Sequence, residues 1–557
     1  MHKNICLAQT AEELKFILNN IKVPLTVVPL DLDVQLYCIL KKINFINPNH
    51  LIKENFYVKA LNESERLTNS LDFGNINVES IKKEYAAIIR FYFNASVFLT
   101  EVIKEINLKN SIDKIFVSGW NDYKTVFYPK NYFISDMAKI LLHNNKIEII
   151  SKKTTTSINE DADFEYEIYP KKIKIDKIIF LSNAGYNFSR IIFWCIKKRY
   201  NIALPFFNRR KINDWILKFL GVKFINFSKK KISNDKKIKL PDISYFYDKK
   251  DFSEILNYRK NQVIGYLTEL NCKYQAINSF FEKNKPSLII SNILRGLPGF
   301  YIESGNKNNI PTLAISHGTV SKAFNEKDII YKKIIAQAVF SEKSKYTALQ
   351  SKIAKEALKT IPVEGKVLET GNIIFAEKLS QNTKRKKNIL VAVTLKNFFC
   401  LQYYGVEMYF EFLKNLDGFN LLAKNKKLNF LIQLHPSAYS SIDLLKKVYK
   451  NLDFTTKKIE KNLTEAFATI SYSSTSIEDS LNCRVPVILF DPSNRYKHCD
   501  SISDPKIKNK AVYYVNSEED LVIALNTIKE SENINFEQYL YNGTYTKNIE
   551  KLLSSIL

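Results

Sequence analysis

The side chains able to do chemistry in this chain are few enough to name. Its 557 residues hold six histidines. Three of them stand just beyond an apolar run: His317 in AISHGT, His435 in LIQLHPS and His498 in the loop beyond VILFDP. A neutral imidazole is the side chain best suited to take a hydroxyl proton near pH 7. Pro436 fixes the chain beyond the run Leu428 to Leu434 and so presents His435 at a strand end. A second cluster is hydroxylic: Ser473, Ser474, Thr475 and Ser476 precede Glu478 and Asp479. As structure, this is a helix cap with acidic residues in the first turn. As function, four hydroxyls and free backbone amides at one helix start would hold a phosphate. Both readings stay open on the turn alone. No His/Asp/Glu cluster argues for a metal, and no cofactor is expected. Lys396, Arg495 and Lys497 are cations available to a phosphate.

Such residues work together only if strands deliver them to one edge. Short apolar runs alternate with longer helix-period segments along the whole chain, which is the pattern of α/β domains with parallel sheets. The early runs are Asn4 to Leu7, Leu25 to Leu30, Lys114 to Ser118 and Lys146 to Ser151, with a helical stretch from Glu79 to Ile106. A second series comprises Lys177 to Ser182, Ser287 to Ser291 and Thr312 to Ser316. The third is the clearest: Asn388 to Thr394, Leu428 to Leu434, Ala468 to Ser471, Val485 to Phe490 and Ala511 to Val515. Residues Glu377 to Lys387 are polar, basic and without period, and read as a linker. We therefore expect an N-terminal lobe over 1–380, Rossmann-like with extra α/β elements, and a doubly wound C-terminal lobe over 388–557. In such sheets ligands bind outside the carboxyl ends of the strands.

Composition is ordinary for a globular protein, at 45% apolar and 25% charged, which excludes a disordered or fibrous chain. The charge is not ordinary. Lys+Arg number 83 against 57 Asp+Glu, a net +26. Eleven of the 83 are arginines; a nucleic-acid reader leans on arginine forks, so nucleic acid is not the expected partner. Residues 190–239 hold fifteen Lys/Arg against Asp214 and Asp235, a net +13. Trp194, Trp215 and several phenylalanines are interleaved with them. That mixture suits an anionic membrane surface, with Arg209, Arg210, Trp215, Lys229, Lys230 and Lys231 as contacts to membrane or acceptor. The plainer reading makes the aromatics core and the lysines a solvated face. Seven cysteines scattered without a CxxC pair fit a reducing cytoplasm. The N-terminus does not read as a signal peptide. Apolar stretches such as Ile178 to Leu181 and Ile191 to Ile196 fall short of the ~20 residues of a membrane span. A peripheral seat on the cytoplasmic face of the inner membrane stays open.

The HP motif at His435 and Pro436, followed about 40 residues later by SSTSIEDSLNCRVPVILFD, resembles the donor-binding half of GT-B glycosyltransferases. The families are bacterial sialyltransferases with related CMP-sugar transferases, and the CDP-glycerol glycerophosphotransferases of teichoic acid synthesis. The resemblance covers about 388–500. It implies two Rossmann-like lobes across a cleft and gives His435, Ser473, Ser474 and Thr475 to the donor's phosphates, beside Pro436, Glu478, Lys396 and Arg495. NIPTLAISHGTVSKAF is similar to the strand-then-HGT segment of the glycerophosphotransferases, which implies a base at His317. KVLETGNIIF, with Gly371 and Asn372, resembles a turn that closes the GT-B cleft. The acidic pair that supplies the base in many sialyltransferases is missing, which leaves His317, Asp122 in SGWND or another group. Asp31/Asp33 and Asp161/Asp163 match the metal-binding DxD of the other glycosyltransferase fold only superficially. The expectation is an inverting, metal-independent glycosyltransferase. It would move sugar from a CMP- or CDP-linked donor to a bacterial surface glycan of the capsule, lipopolysaccharide or teichoic type. The alternatives are a UDP-sugar transferase or sugar-nucleotide epimerase on the same fold, or a non-catalytic nucleic-acid-binding protein.

Overall fold

The computed structural model describes residues 3–52, 54–109, 111–119, 133–142, 145–150, 164–169, 177–185, 187–206, 212–231, 237–294, 296–316, 318, 321–324, 326–339, 343–361, 363–377, 387–392, 410–472, 474–494 and 497–557. Three larger sheets organise them. The C-terminal sheet has six parallel strands in the spatial order Asp453–Thr455, Phe430–Gln433, Asn388–Val391, Ala466–Ser471, Val487–Phe490 and Val512–Val515. Counted along the chain, that order is 3-2-1-4-5-6. The central sheet repeats it. Lys223–Lys231, Asn201–Phe206, Ile178–Leu181, Leu288–Ser291, Thr312–Ile315, Tyr346–Leu349 and Lys366–Glu369 run parallel, and Phe164–Tyr169 adds an antiparallel edge. The 3-2-1-4 reversal is the Rossmann topology, and each reversal opens a crevice at the carboxyl ends of the strands. Strands such as Leu288–Ser291 and Val487–Phe490 are buried along their whole length, because helices cover both faces of a parallel sheet. They read as unbroken apolar runs for that reason.

The N-terminal expectation of one lobe with extra elements resolves into a separate sheet. Four parallel strands, Thr26–Pro29, Lys3–Ala8, Ile112–Ser118 and Ile147–Ile150, form a unit of their own. Its helix Leu32–Lys41 packs on Ile442–Val448 of the C-terminal lobe. Asp31 caps that helix, accepting from Leu32 N at 2.7 Å, and Asp33 accepts from the Ser441 hydroxyl. Both carboxylates of that apparent DxD are therefore structural. The helix Glu79–Lys109 corrects the estimate of apolar stretches, since it is long and apolar enough to cross a membrane. It is instead a core helix: 83% of its apolar stretch is buried, and aromatic residues such as Phe91, Tyr92, Phe93 and Phe98 are almost wholly covered.

The chain changes sheet between Glu369 and Asn388, and most of the basic linker stretch lies outside the described residues. The C-terminal boundary departs from expectation. Helix Tyr545–Ser554 leaves its own lobe and packs on Ser189–Lys197 of the central one. Its Ile549, Leu552 and Leu553 complete the apolar cluster of Ile179, Leu181, Ile192 and Leu288. An amphipathic helix settles where its apolar face is covered, and that place is the central lobe.

Candidate functional site

The C-terminal crevice lies over the strand Asn388–Val391. Val391 pairs with Ile432 on one side and Ile470 on the other. The segments that follow those neighbours therefore rise to similar height, two strand spacings or roughly 10 Å apart. One segment carries His435 and Pro436, the latter opening a 3-10 turn over Pro436–Ser441. His435 stands exposed, yet enough protein packs around its ring for desolvation to lower its pKa from 6.5. The other segment carries Ser474 and Thr475, ahead of helix Ser476–Asn482. Ser474 Oγ accepts from Ser476 N at 3.3 Å. Thr475 is half-buried and makes no capping hydrogen bond. Glu478 does not face the crevice. Its side chain is fully buried and Oε1 lies 3.3 Å from His498 Nε2.

The central lobe meets this edge directly. Ser316 and Gly318 follow the strand Thr312–Ile315, and Gly318 N donates to Ser316 Oγ at 3.1 Å. A Cβ on Gly318 would lie only 3.0 Å from Thr475 Cγ2. The segment that carries the HGT motif thus approaches the serine-rich turn closely, and a side chain at 318 would have to push the Thr475 methyl aside by a few tenths of an ångström. Lys322 extends the contact with an ion pair to Asp500 at 3.0 Å. Lys497 lies over the Phe324 ring at 5.4 Å. Beside these contacts opens a cavity of about 550 Å³, whose walls include Lys322, Phe324, His498, Lys510, Tyr539 and Tyr541.

Gly371 and Asn372 belong to the joint between lobes. Gly371 has φ of +76°, and a Cβ there would meet Asn548 Nδ2 at 2.7 Å. Asn372 is buried and donates its amide to the carbonyls of Phe375 and Ala376. Its side chain therefore shapes the turn and does not reach toward a ligand. Gln350 ties the joint to the HGT segment: its amide donates to Ser316 O at 2.8 Å, and its carbonyl accepts from Ile373 N and Ile374 N. Arg190 clamps the same turn, donating to Ile373 O and Phe375 O while lying 3.5 Å from Glu460 and over the Tyr545 ring. Asp479 accepts from Ala376 N at 2.7 Å. Burial pushes its carboxyl up to about 7 against the lowering effect of that hydrogen bond, and the nearby Glu478 and Glu460 add to the rise.

The central lobe's own crevice holds residues that motif reasoning passed over. Ser182 and Asn183 follow Ile178–Leu181, and Asn292 follows Leu288–Ser291. Asn183 Nδ2 donates to Asn292 Oδ1 at 2.5 Å and Ser182 Oγ to the same oxygen at 3.3 Å. The rule that singled out the histidines, polar residues directly after a strand, would have found all three. Of the expected site residues, His317, Asp122, Ser473, Lys396, Arg495, Arg209 and Arg210 lie outside the described residues, as do Asp161 and Asp163. Lys229, Lys230 and Lys231 end the strand Lys223–Lys231, paired in register with Tyr166, Glu165 and Phe164. Trp215 is exposed on a surface helix.

Two Rossmann sheets of matching strand order, with carboxyl edges in contact and a helix returning from the second lobe to the first, decide the architecture. The fold is GT-B. No protein-family model matches the chain, and no curated protein sequence does. Solved structures that resemble it include the UDP-GlcNAc 2-epimerase of Methanocaldococcus jannaschii, at 14% identity and a TM-score of 0.39 over 68% of this chain and 99% of that one. The Neisseria meningitidis UDP-GlcNAc 2-epimerase bound to UDP-GlcNAc is similar at 12% identity and TM-score 0.40, over 68% and 98%. Anabaena Alr3699/HepE in complex with UDP and glucose is similar at 12% identity and TM-score 0.38, over 68% and 99%.

Proposed function

We propose that this chain is a nucleotide-sugar enzyme that transfers the sugar of a nucleotide-activated donor to a bacterial surface glycan. The observation that carries the reading is the contact of Gly318 with Thr475, which brings the edges of two Rossmann crevices together. A nucleotide seated on the C-terminal lobe would have its phosphate between His435 and Thr475. Its sugar would point toward Ser316 and Gly318. The neighbouring cavity of about 550 Å³ leaves room for a second substrate, which a transferase needs. His435 and the hydroxyls would steady the leaving phosphate while His317 or a carboxylate takes the acceptor proton.

The donor's base is the open point, with CMP and CDP suggested by the motif resemblance and UDP by what the similar solved structures contain. Melting temperatures measured with CMP, CDP and UDP decide it, because a ligand that binds only the folded state raises the transition. One nucleotide should stand out. If none of the three shifts the transition at millimolar concentration, the reading fails.

A second reading, a sugar-nucleotide epimerase, is favoured by His498 on the cavity wall, whose ring is positioned by the buried Glu478 carboxylate at 3.3 Å; that reaction needs no acceptor. Incubating the cognate nucleotide sugar in heavy water without acceptor separates the two. Deuterium appearing in the sugar ring establishes the epimerase, and an unchanged donor consumed only when glycan is added establishes the transferase.

A further inference from the structure

The structure divides the aromatic residues of the basic segment into two groups. Trp194 and Phe227 are core, at 7% and 2% exposure. Trp215, Ile216 and Phe219 of helix Ile212–Phe219 are 64%, 57% and 92% exposed, and Phe193 on helix Ser189–Lys197 is 56% exposed. Twelve large apolar side chains are exposed among the described residues, and four of them fall within this one stretch of the chain. Leu217 points the other way, into the apolar cluster of the lobe. The helix is therefore amphipathic with its second apolar face uncovered.

Topology brings the two helices side by side. Successive crossovers Ile178–Leu181 to Asn201–Phe206 to Lys223–Lys231 step in one direction across the sheet. Right-handed crossovers then place both helices on one face. Both run back from the carboxyl edge, so their last turns gather at the opposite end of the lobe. Lys197, Lys198, Arg199, Lys218 and Lys223 are all exposed there. Lys218 Nζ lies over the Trp215 ring at 5.9 Å. Acidic residues are scarce: across 190–239 the chain has only Asp214 and Asp235, and of the five cations only Lys198 is ion-paired among the described residues, with Glu550 of the returning helix at 2.6 Å.

We propose that this face of the central lobe seats the protein on an anionic lipid bilayer, with Trp215, Ile216 and Phe219 entering the headgroup layer and the surrounding lysines meeting lipid charge. Exposed apolar side chains ringed by cations complement a surface that is negative outside and apolar beneath. An acidic protein partner would match the cations but not the bare Phe219. The seat lies at the end of the strands away from the crevice, so it tethers the enzyme without covering the cleft. This inference does not depend on the donor or the reaction.

The test is flotation of the whole protein with vesicles of phosphatidylcholine alone and with about 30% phosphatidylglycerol added. Binding is expected only to the anionic vesicles and should weaken steeply with salt. Ile216→Glu with Phe219→Glu should reduce it by about tenfold or more, with an unchanged melting temperature because both side chains are exposed. Lys197→Glu with Lys218→Glu should weaken it further toward the neutral-vesicle level. Absence of binding to anionic vesicles overturns the proposal, as does binding that both double variants leave unchanged. Light scattering covers the remaining occupant: self-association abolished by Ile216→Glu and Phe219→Glu, without vesicle binding, overturns the proposal by making this face a subunit contact.

Discussion

The two Rossmann crevices share a strand order and differ in what fills them. In the central lobe, Ser182, Asn183 and Asn292 hydrogen-bond one another, and Asn292 is wholly buried. In the C-terminal lobe, His435 is exposed and Thr475 keeps an uncapped hydroxyl. Topology decides where a ligand can sit, because the reversal of strand order opens a gap wherever it occurs. Side chains then decide whether the gap closes on itself or stays open. By this contrast the central crevice is largely closed by its own side chains, and we propose the C-terminal one as the ligand's seat.

The contrast can be broken most directly at His435. Replacing it with Ala should lower turnover by about 10²–10³-fold, in the range of losing one preorganised donor, with little change in melting temperature. Steady-state kinetics alongside thermal unfolding reads both quantities, and full activity would remove His435 from the site. The mirror-image substitution is Asn292→Ala. It strips the acceptor from Asn183 and Ser182 in a buried setting and should destabilise by about 2–3 kcal/mol, leaving nucleotide affinity unchanged. A loss of affinity without a loss of stability would invert the comparison.

Asp479 sharpens it from the joint. Its folded-state value of about 7 exceeds the ordinary carboxyl value of 3.8. Below about pH 4 neither state carries the charge. Between pH 4 and 7 the unfolded chain ionises first, so stability falls as pH rises, and the full penalty is present above 7. Asp479→Asn can still accept from Ala376 N and carries no such penalty. It should raise stability at pH 8 by about 2 kcal/mol, less than the full shift implies because the carboxyl keeps some solvent, and by nothing near pH 4. Denaturant titrations at the two pH values check this.

The smallest effect is expected from pH acting on His435. With its pKa depressed, the ring is neutral at pH 7 in the free protein and resists protonation as pH falls. A bound phosphate would offset that resistance. Nucleotide affinity should therefore rise a few-fold, about 0.5–1 kcal/mol, between pH 7.5 and 5.5. His435→Gln should flatten the profile. Calorimetric titration at the two pH values decides the point, and an unaltered profile in the variant would place the coupling elsewhere.

Much of the C-terminal lobe was legible because buried parallel strands are continuous apolar runs. Val485 to Phe490 and Ala468 to Ser471 announce both their own position and the polar residue that follows. The joint was not legible. Arg190 meets Ile373 and Phe375 across more than 180 residues, and nothing in its neighbourhood distinguishes it from the lysines around it. Gln350 is equally anonymous until its two partners are seen together. The return of Tyr545–Ser554 was missed because an amphipathic period states that a face must be covered, not by which lobe. The aromatic residues from Trp194 to Phe227 mix core and surface, and only burial separates them.

The helix Tyr545–Ser554 also sets an order of events during synthesis. The strands of the central lobe are complete at Glu369, but part of the cover for Ile179, Leu181 and Leu288 comes from Ile549, Leu552 and Leu553. A ribosome must add about 185 more residues before that cover exists, roughly 10–40 s at ordinary elongation rates. For that interval the apolar cluster of the nascent lobe is incompletely covered, and the C-terminal lobe must emerge before its neighbour can finish folding. The central lobe begins before the C-terminal one and is completed after it.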